Sequence, residues 1–292
     1  MRALVTGDAG FLGRHFTAEL KQRGYAVTGI DIRHSPSQDV RDWLRGTGAK
    51  VEPFDLVVHC AAVVGGRAVI DGDPLATAVN LELDAALLRW AAVAEPGRVL
   101  YLSSSAAYPV AYQRNHGSRL KEGDVYLPHD VMQPDQVYGW TKVMGEILCQ
   151  RLREAGVPVT VVRPFSGYGS DQDADYPFRA FVDRAKKKED PFRLWCGHCV
   201  RDFVHVDDVV NGTLAAVSAG ADGPINICTG SGTSFYALAR RVCTEAGYEP
   251  EIIGDPSAPA GVLSRVGDPL LMAQYWTPAV SLDEGVRRAF AD

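Results

Sequence analysis

The chain has 292 residues, 46% hydrophobic and 23% charged, with a formal net charge of −6. That length can bury a full core, and the composition is that of an ordinary soluble globular protein. The acidic balance argues against a nucleic-acid partner, and no apolar run reaches the roughly 18–20 residues that a membrane span needs.

The N-terminal MRALVTGDAG enters strand-like sequence at once, so no secretory signal is expected. Six cysteines are too few for a disulfide scaffold. Cys60, Cys149, Cys228 and Cys243 lie in apolar segments and read as small core residues, in a reduced, cytoplasmic setting.

In chain order, Ala3–Thr6 reads as a strand and Phe11–Arg23 as a helix. Strands follow at Tyr25–Asp31 and Phe54–Cys60, then a long amphipathic helix at Pro74–Ala94. Arg98–Ser103 is a strand, Pro134–Ala155 a helix and Val157–Arg163 a strand. Short, almost continuous Val/Leu/Ile runs alternating with helices predict an α/β fold, a doubly wound parallel sheet covered on both faces. The stretch from Asp31 to Phe54 is short, which suggests a degenerate third strand.

After Arg163 the rhythm changes. A loop rich in Gly, Asp and Pro at Ser166–Pro177 leads to a helix near Phe178–Lys187. Arg201–Val206 and Ile225–Cys228 read as strands; helices are expected at Asp207–Ala219, Ser234–Ala246 and Ser281–Ala291. These pieces are too scattered for a second sheet of equal size. The expected division is 1–165, with contributions from about 201–230, and a small C-terminal substrate lobe made mainly by 166–292.

Gly7, Gly10 and Gly13, in the run TGDAGFLG, lie between the first strand and the first helix. Glycines let the backbone turn tightly and approach a pyrophosphate, and the helix N-terminus adds N–H donors and the positive end of its dipole. Asp31 closes the second strand. An acid there can bond the adenosine ribose hydroxyls and repels a 2′-phosphate, which favours NAD over NADP, with Arg33 acting in the other direction.

Tyr138 and Lys142 stand four residues apart and share one face of a predicted helix. A free phenol titrates near 10, and a neighbouring cation favours the phenolate. Ser103, Ser104 and Ser105 end the preceding strand, at the sheet edge where ligands bind in doubly wound folds. A serine there can bond the hydroxyl that the tyrosine deprotonates.

Together these segments resemble the extended short-chain dehydrogenase/reductase family, specifically its nucleotide-sugar epimerases, dehydratases and reductases. TGDAGFLG is similar to the family's TGGAGFIG, and Asp39-Val40 to its adenine-contacting pair. HCAAVVGG (59–66) resembles its H-x-A-A segment, and Asn80 falls where a sheet-bridging Asn is usual. SSSAAYP (103–109), YGWTK, RPFSGYG (163–169) and RDFVHVDDV (201–209) complete the match over nearly the whole chain.

The resemblance implies a Rossmann-type fold, NAD as cofactor and a nucleotide-diphosphate sugar as substrate. It places Ser104, Tyr138 and Lys142 in catalysis, with Ser105 as the alternative serine. Around NAD it places Gly7, Gly10, Phe11, Leu12, Gly13, Asp31, Ile32, Asp39, Val40, Cys60, Ala61, Ala62, Ser103, Tyr138, Lys142 and Pro164. Substrate contacts fall to Ser104, Ser105, Tyr138, Ser166, Arg201 and Arg265. Ser166 stands where many members have Asn, and Arg265 is only a candidate for a second diphosphate arginine. A homodimer is implied, with the Pro74–Ala94 and Pro134–Ala155 helices as its contact.

Departures narrow the chemistry. Dehydratases of the family carry Asp-Glu where Ser105 and Ala106 stand, decarboxylases a Glu at Ala106, and the most similar GDP-sugar enzymes a Cys there. Epimerisation at C4 is the leading expectation, followed by ketosugar reduction or sugar oxidation. Trp195-Cys196-Gly197-His198-Cys199 reads like a disulfide-isomerase site, but it precedes RDFVHVDD rather than opening a helix after a core strand. A thiol oxidoreductase is therefore disfavoured, and a redox-sensitive loop is left open.

Overall fold

The computed structural model describes residues 1–46, 53–65, 74–126, 133–255 and 262–291. Gly66, at the end of the HCAAVVGG segment, lies outside them, as do 47–52 of the stretch between Asp31 and Phe54. The chain divides into two compact units. One comprises Met1–Ala107, Pro134–Arg163 and Thr213–Ile225, and the other Tyr108–Gln133, Pro164–Gly212 and Asn226–Asp292.

The first unit is Rossmann-like. Its strands are β1 (Arg2–Thr6), β2 (Ala26–Ile30), β3 (Leu56–His59), β4 (Val99–Leu102) and β5 (Val159–Pro164). They are parallel in the order β2-β1-β3-β4-β5, and the sheet continues into a last strand, β9 (Ile225–Ile227). Every residue of β3 and β4 is buried, as their continuous apolar sequence requires of a sheet covered on both faces.

The helices of this unit are α1 (Phe11–Gln22), α2 (Val40–Arg45), α3 (Pro74–Ala94) and α4 (Gln136–Glu154). Leu83, Leu87, Leu88, Trp90 and Ala91 of α3 join Val57, Val99, Tyr101, Val159 and Val161 of the strands in one core. Between Asp31 and Phe54 sequence reading suggested a degenerate third strand; the described residues there carry a helix instead. The short helix α2 forms there because Asp39 caps it, its carboxylate accepting the Arg41 N–H at 2.9 Å.

The second unit carries β6 (Ser166–Tyr168), β7 (Phe192–Leu194), β8 (Val200–His205), β10 (Gly232–Ser234), β11 (Ile252–Gly254) and β12 (Ser264–Arg265). β8 is the hub: β10 pairs with it antiparallel, β12 and β6 parallel, while β7 and β11 make a separate pair. Its helices are α5 (Pro177–Lys186), the start of α6 (Val206–Ser218), α7 (Phe235–Glu245) and α8 (Leu282–Ala291). Phe178, Phe181, Phe192, Phe203, Phe235 and Leu238 form its core. The expected loop at Ser166–Pro177 thus begins as a strand, because three residues paired to β8 leave no periodic signal in the sequence.

Candidate functional site

Gly7 follows β1 directly and has φ +73°, a conformation glycine adopts without penalty. A Cβ on Gly7 would fall 2.6 Å from the Ala61 nitrogen, and one on Gly13 would fall 2.0 Å from the Gly7 carbonyl oxygen. The three glycines therefore fold the loop tightly onto the chain after β3. Gly10, the N-cap of α1, has no side chain to bond the N–H groups of Phe11, Leu12 and Gly13 at the helix N-terminus. This is a cradle that a Cβ would fill, and it fits a dinucleotide pyrophosphate.

Asp31, at the tip of β2, is 8% exposed and accepts the backbone N–H groups of Ala9 at 3.2 Å and Arg33 at 2.8 Å. It therefore ties the end of β2 to the glycine loop. Asp8 brings a second carboxylate into that loop. Its carboxylate lies against Gly29 of β2 and 3.0 and 3.1 Å from His34 Nε2. The guanidinium of Arg33 donates to the Ala9 carbonyl at 3.1 Å. Ile32, beside them, is exposed.

Asp39 and Val40 divide their work. Val40 is buried in the core, while the Asp39 carboxylate also takes Arg41 Nε at 3.0 Å and Arg41 Nη2 at 2.6 Å. The hydrogen bonds from Arg41 hold the Asp39 carboxyl below its ordinary range, against the opposing effect of burial. Cys60, Ala61 and Ala62 follow β3 and are all half-buried. Burial pushes the Cys60 thiol far up, with the Lys142 charge acting the other way, so it is a poor nucleophile. Asn80 of α3 bridges the segment after β3, accepting the Val63 N–H at 2.7 Å and donating to the Val63 carbonyl at 3.0 Å.

Tyr138 and Lys142 lie in the first turns of α4. Lys142 is 4% exposed, and its Nζ donates to the Leu102 carbonyl, at the end of β4, at 3.0 Å. The same nitrogen stands 5.8 Å from the centre of the Tyr138 ring. Tyr138 itself is half-buried. The serine turn is drawn to this helix through Ala106, whose carbonyl accepts the Asp135 N–H at 2.9 Å. Gly139 makes the approach possible, since a Cβ there would fall 2.4 Å from the same carbonyl oxygen.

The three serines take different roles. Ser104 is half-buried, and its hydroxyl accepts the Ala106 N–H at 3.1 Å. Ser105 is buried in the short 3₁₀ turn that follows. Ser103 donates to the Glu146 carboxylate, which also holds Arg163 through Nε at 2.8 Å and Nη2 at 2.6 Å. Sequence reading missed Glu146, although it lies one helical turn beyond Lys142 on the same face.

In the second unit, Pro164 leaves β5, and Ser166 opens β6 as a half-buried residue. Arg201 and Arg265 are register partners on β8 and β12. Arg201 donates to the Val262 carbonyl at 3.0 Å and stacks 5.5 Å over the Phe235 ring, while Arg265 Nε donates to the Gln113 side-chain oxygen at 2.6 Å. Cys196 and Cys199, the pair for which a redox-sensitive loop was left open, form a disulfide. The backbone N–H of Phe235 donates to the Cys199 carbonyl at 3.0 Å, so the bridged loop abuts the ring that carries Arg201. Their spacing was visible in sequence; their pairing required the turn that folds one back onto the other.

Residues 3–228 match the sequence model of a family described as the NAD dependent epimerase/dehydratase family. The chain is similar to the UDP-glucose 4-epimerase of Thermotoga maritima, solved with UDP-glucose. Identity is 27% and the TM-score 0.88, covering 100% of this chain and 98% of that one. The UDP-glucose 4-epimerase of Thermus thermophilus, solved with NAD, is 26% identical with a TM-score of 0.85 over the same shares. A dTDP-4-dehydro-6-deoxy-D-allose reductase from a Streptomyces species is 29% identical over 91% of this chain and 87% of its own. No helix among the described residues is long and apolar enough to cross a membrane.

Proposed function

The chain belongs to the NAD dependent epimerase/dehydratase family, with NAD as its cofactor, and from that premise we propose that it is a nucleotide-sugar epimerase acting at C4. The observation that carries the reading is the meeting of Tyr138, Lys142 and the Ser104 turn beside β4, in the same unit as the glycine cradle on β1. Tyr138 takes the proton of a sugar hydroxyl, and Ser104, or Ser105 in its place, hydrogen-bonds the same oxygen. Lys142, fixed at the Leu102 carbonyl, presents its ammonium to the nicotinamide ribose and to the phenolate. NAD, when bound, would supply the hydride acceptor and donor for an exchange at C4, while Tyr138 and Ser104 hold the sugar oxygen and Lys142 the ribose.

Ser105 and Ala106 supply no carboxylate for dehydration and no thiol for a second epimerisation. The likeness to two UDP-glucose 4-epimerases supports the same reading. In the second unit, Arg201 is the candidate clamp for the nucleotide diphosphate, a task suited to a planar guanidinium, with Arg265 and Ser166 beside it in the assignment. The second reading, a nucleotide-ketosugar reductase, is favoured by the identity to the Streptomyces reductase.

A panel of UDP-, GDP- and dTDP-sugars separates the two readings. An epimerase yields the C4 epimer by sugar NMR with no net absorbance change at ~340 nm; a reductase consumes nicotinamide in proportion to product. Tyr138→Phe should lower turnover by at least about 100-fold while the fold is kept. A variant as active as the parent would remove Tyr138 as the base.

We also propose a homodimer through α3 and α4. Trp140, Met144 and Ile147 are exposed at helical spacing on α4, and Leu81 and Val93 are exposed on α3. Sedimentation at about twice the monomer mass is expected, and a monomer at micromolar concentration would refute it.

A further inference from the structure

Thr6, His59 and Tyr101 are register partners on β1, β3 and β4, so their side chains stand side by side on one face of the sheet. Helix α3 places Asp84 against that row. Its carboxylate lies 3.1 Å from His59 Nε2 and accepts the Tyr101 hydroxyl at 2.6 Å; His59 Nδ1 in turn lies 2.7 Å from the Thr6 hydroxyl. Asp84 is 1% exposed. A buried acid costs several kcal/mol of desolvation, and an apolar residue packed in its place is often as stable. Its neighbours on α3, Leu83, Leu87 and Leu88, are of that apolar kind.

The Tyr101 ring joins this acid to α4. Its hydroxyl end donates to Asp84, and its face lies 5.2 Å from Lys142 Nζ. Gly145, three residues after Lys142, is shaped to the same ring, since a Cβ there would fall 1.9 Å from the Tyr101 hydroxyl oxygen and 2.8 Å from Asp84 Oδ2. A phenol that donates to a carboxylate gains electron density, which strengthens the attraction of its face for a cation. An ammonium has three donors. One of them is spent on the Leu102 carbonyl, and the ring fixes a second side. Burial opposes ionisation of Asp84, yet the His59 hydrogen bond and the Lys142 charge bring its carboxyl below the ordinary range.

We propose that Asp84, acting through Tyr101, is a positioning residue for the Lys142 ammonium, aiming its remaining donor at the nicotinamide ribose. The row ends at Thr6, next to Gly7, so the same side chains brace the cradle and the catalytic cation together. This rests on the role given to Lys142 above.

The test is a double-mutant cycle on the full chain, stripped of nucleotide and titrated with NADH by its fluorescence. Asp84→Asn should weaken NADH by about tenfold in the parent and by less than about twofold in a Lys142→Met background. Tyr101→Phe, which keeps the ring but frees it from Asp84, should follow the same pattern with a loss of about threefold. It carries the test if Asp84→Asn fails to fold by circular dichroism. Equal losses in both backgrounds would reduce Asp84 to a structural acid and overturn the proposal. A loss with Lys142→Met but none with Asp84→Asn or Tyr101→Phe overturns it alone. If Lys142→Met leaves NADH affinity unchanged, the Lys142 assignment falls, and this proposal with it.

Discussion

Replacing Glu146 by Ala removes the carboxylate at the centre of a fully buried cluster. Arg163 is 0% exposed and Glu146 2% exposed, and their two bonds of 2.8 and 2.6 Å make a bidentate pair to which Ser103 adds a third donor. Breaking such a pair from one side costs roughly 3–5 kcal/mol, because the guanidinium stays buried after its counter-charge is gone. For a chain of this size each kcal/mol moves the melting temperature by about 2–4 °C, so a fall of roughly 6–20 °C is expected in a thermal melt. Glu146→Leu combined with Arg163→Met removes both charges and should recover most of that loss. A single variant melting within about 2 °C of the parent would refute the reasoning, as would a double variant no better than the single one.

The bridged cysteines and the buried Asp84 make separable predictions. Cys196→Ser with Cys199→Ser should cost at most about 2 kcal/mol, the chain-entropy value for so short a loop, and should leave sugar turnover intact; loss of turnover would reopen a thiol chemistry. Because Asp84 is held below its ordinary carboxylate range in the folded chain, its ionised form stabilises the fold above about pH 4, and that stability is lost as pH falls through the folded value. The stability difference between the parent and Asp84→Asn should therefore be constant above about pH 5 and shrink on further acidification. Urea midpoints measured at pH 3 to 7 check the sign, and a difference that grew in acid would contradict it.

The elements of the first unit were legible because their signals are local. Continuous apolar runs mark β3 and β4, the helix expected at Pro74–Ala94 is found with those bounds, and Gly7, Gly10 and Gly13 are spaced by the turn they make. Tyr138 and Lys142 were legible for the same reason, since four residues of helix put both on one face. Outside such periods the sequence was silent. β12 has two residues and β6 three, too few for a pattern, and they exist because β8 offers its edges to them.

The amino-acid order by itself therefore determined the parallel sheet, the cradle and the tyrosine–lysine pair. Tertiary structure alone decided what those residues rest on. It set Asp84 against His59 and Tyr101, 25 and 17 residues away in the chain, and Arg163 against Glu146, 17 residues away. The physical reason is that a buried charge is bearable only beside its partner, and strand register and helix packing, which no local pattern encodes, choose that partner.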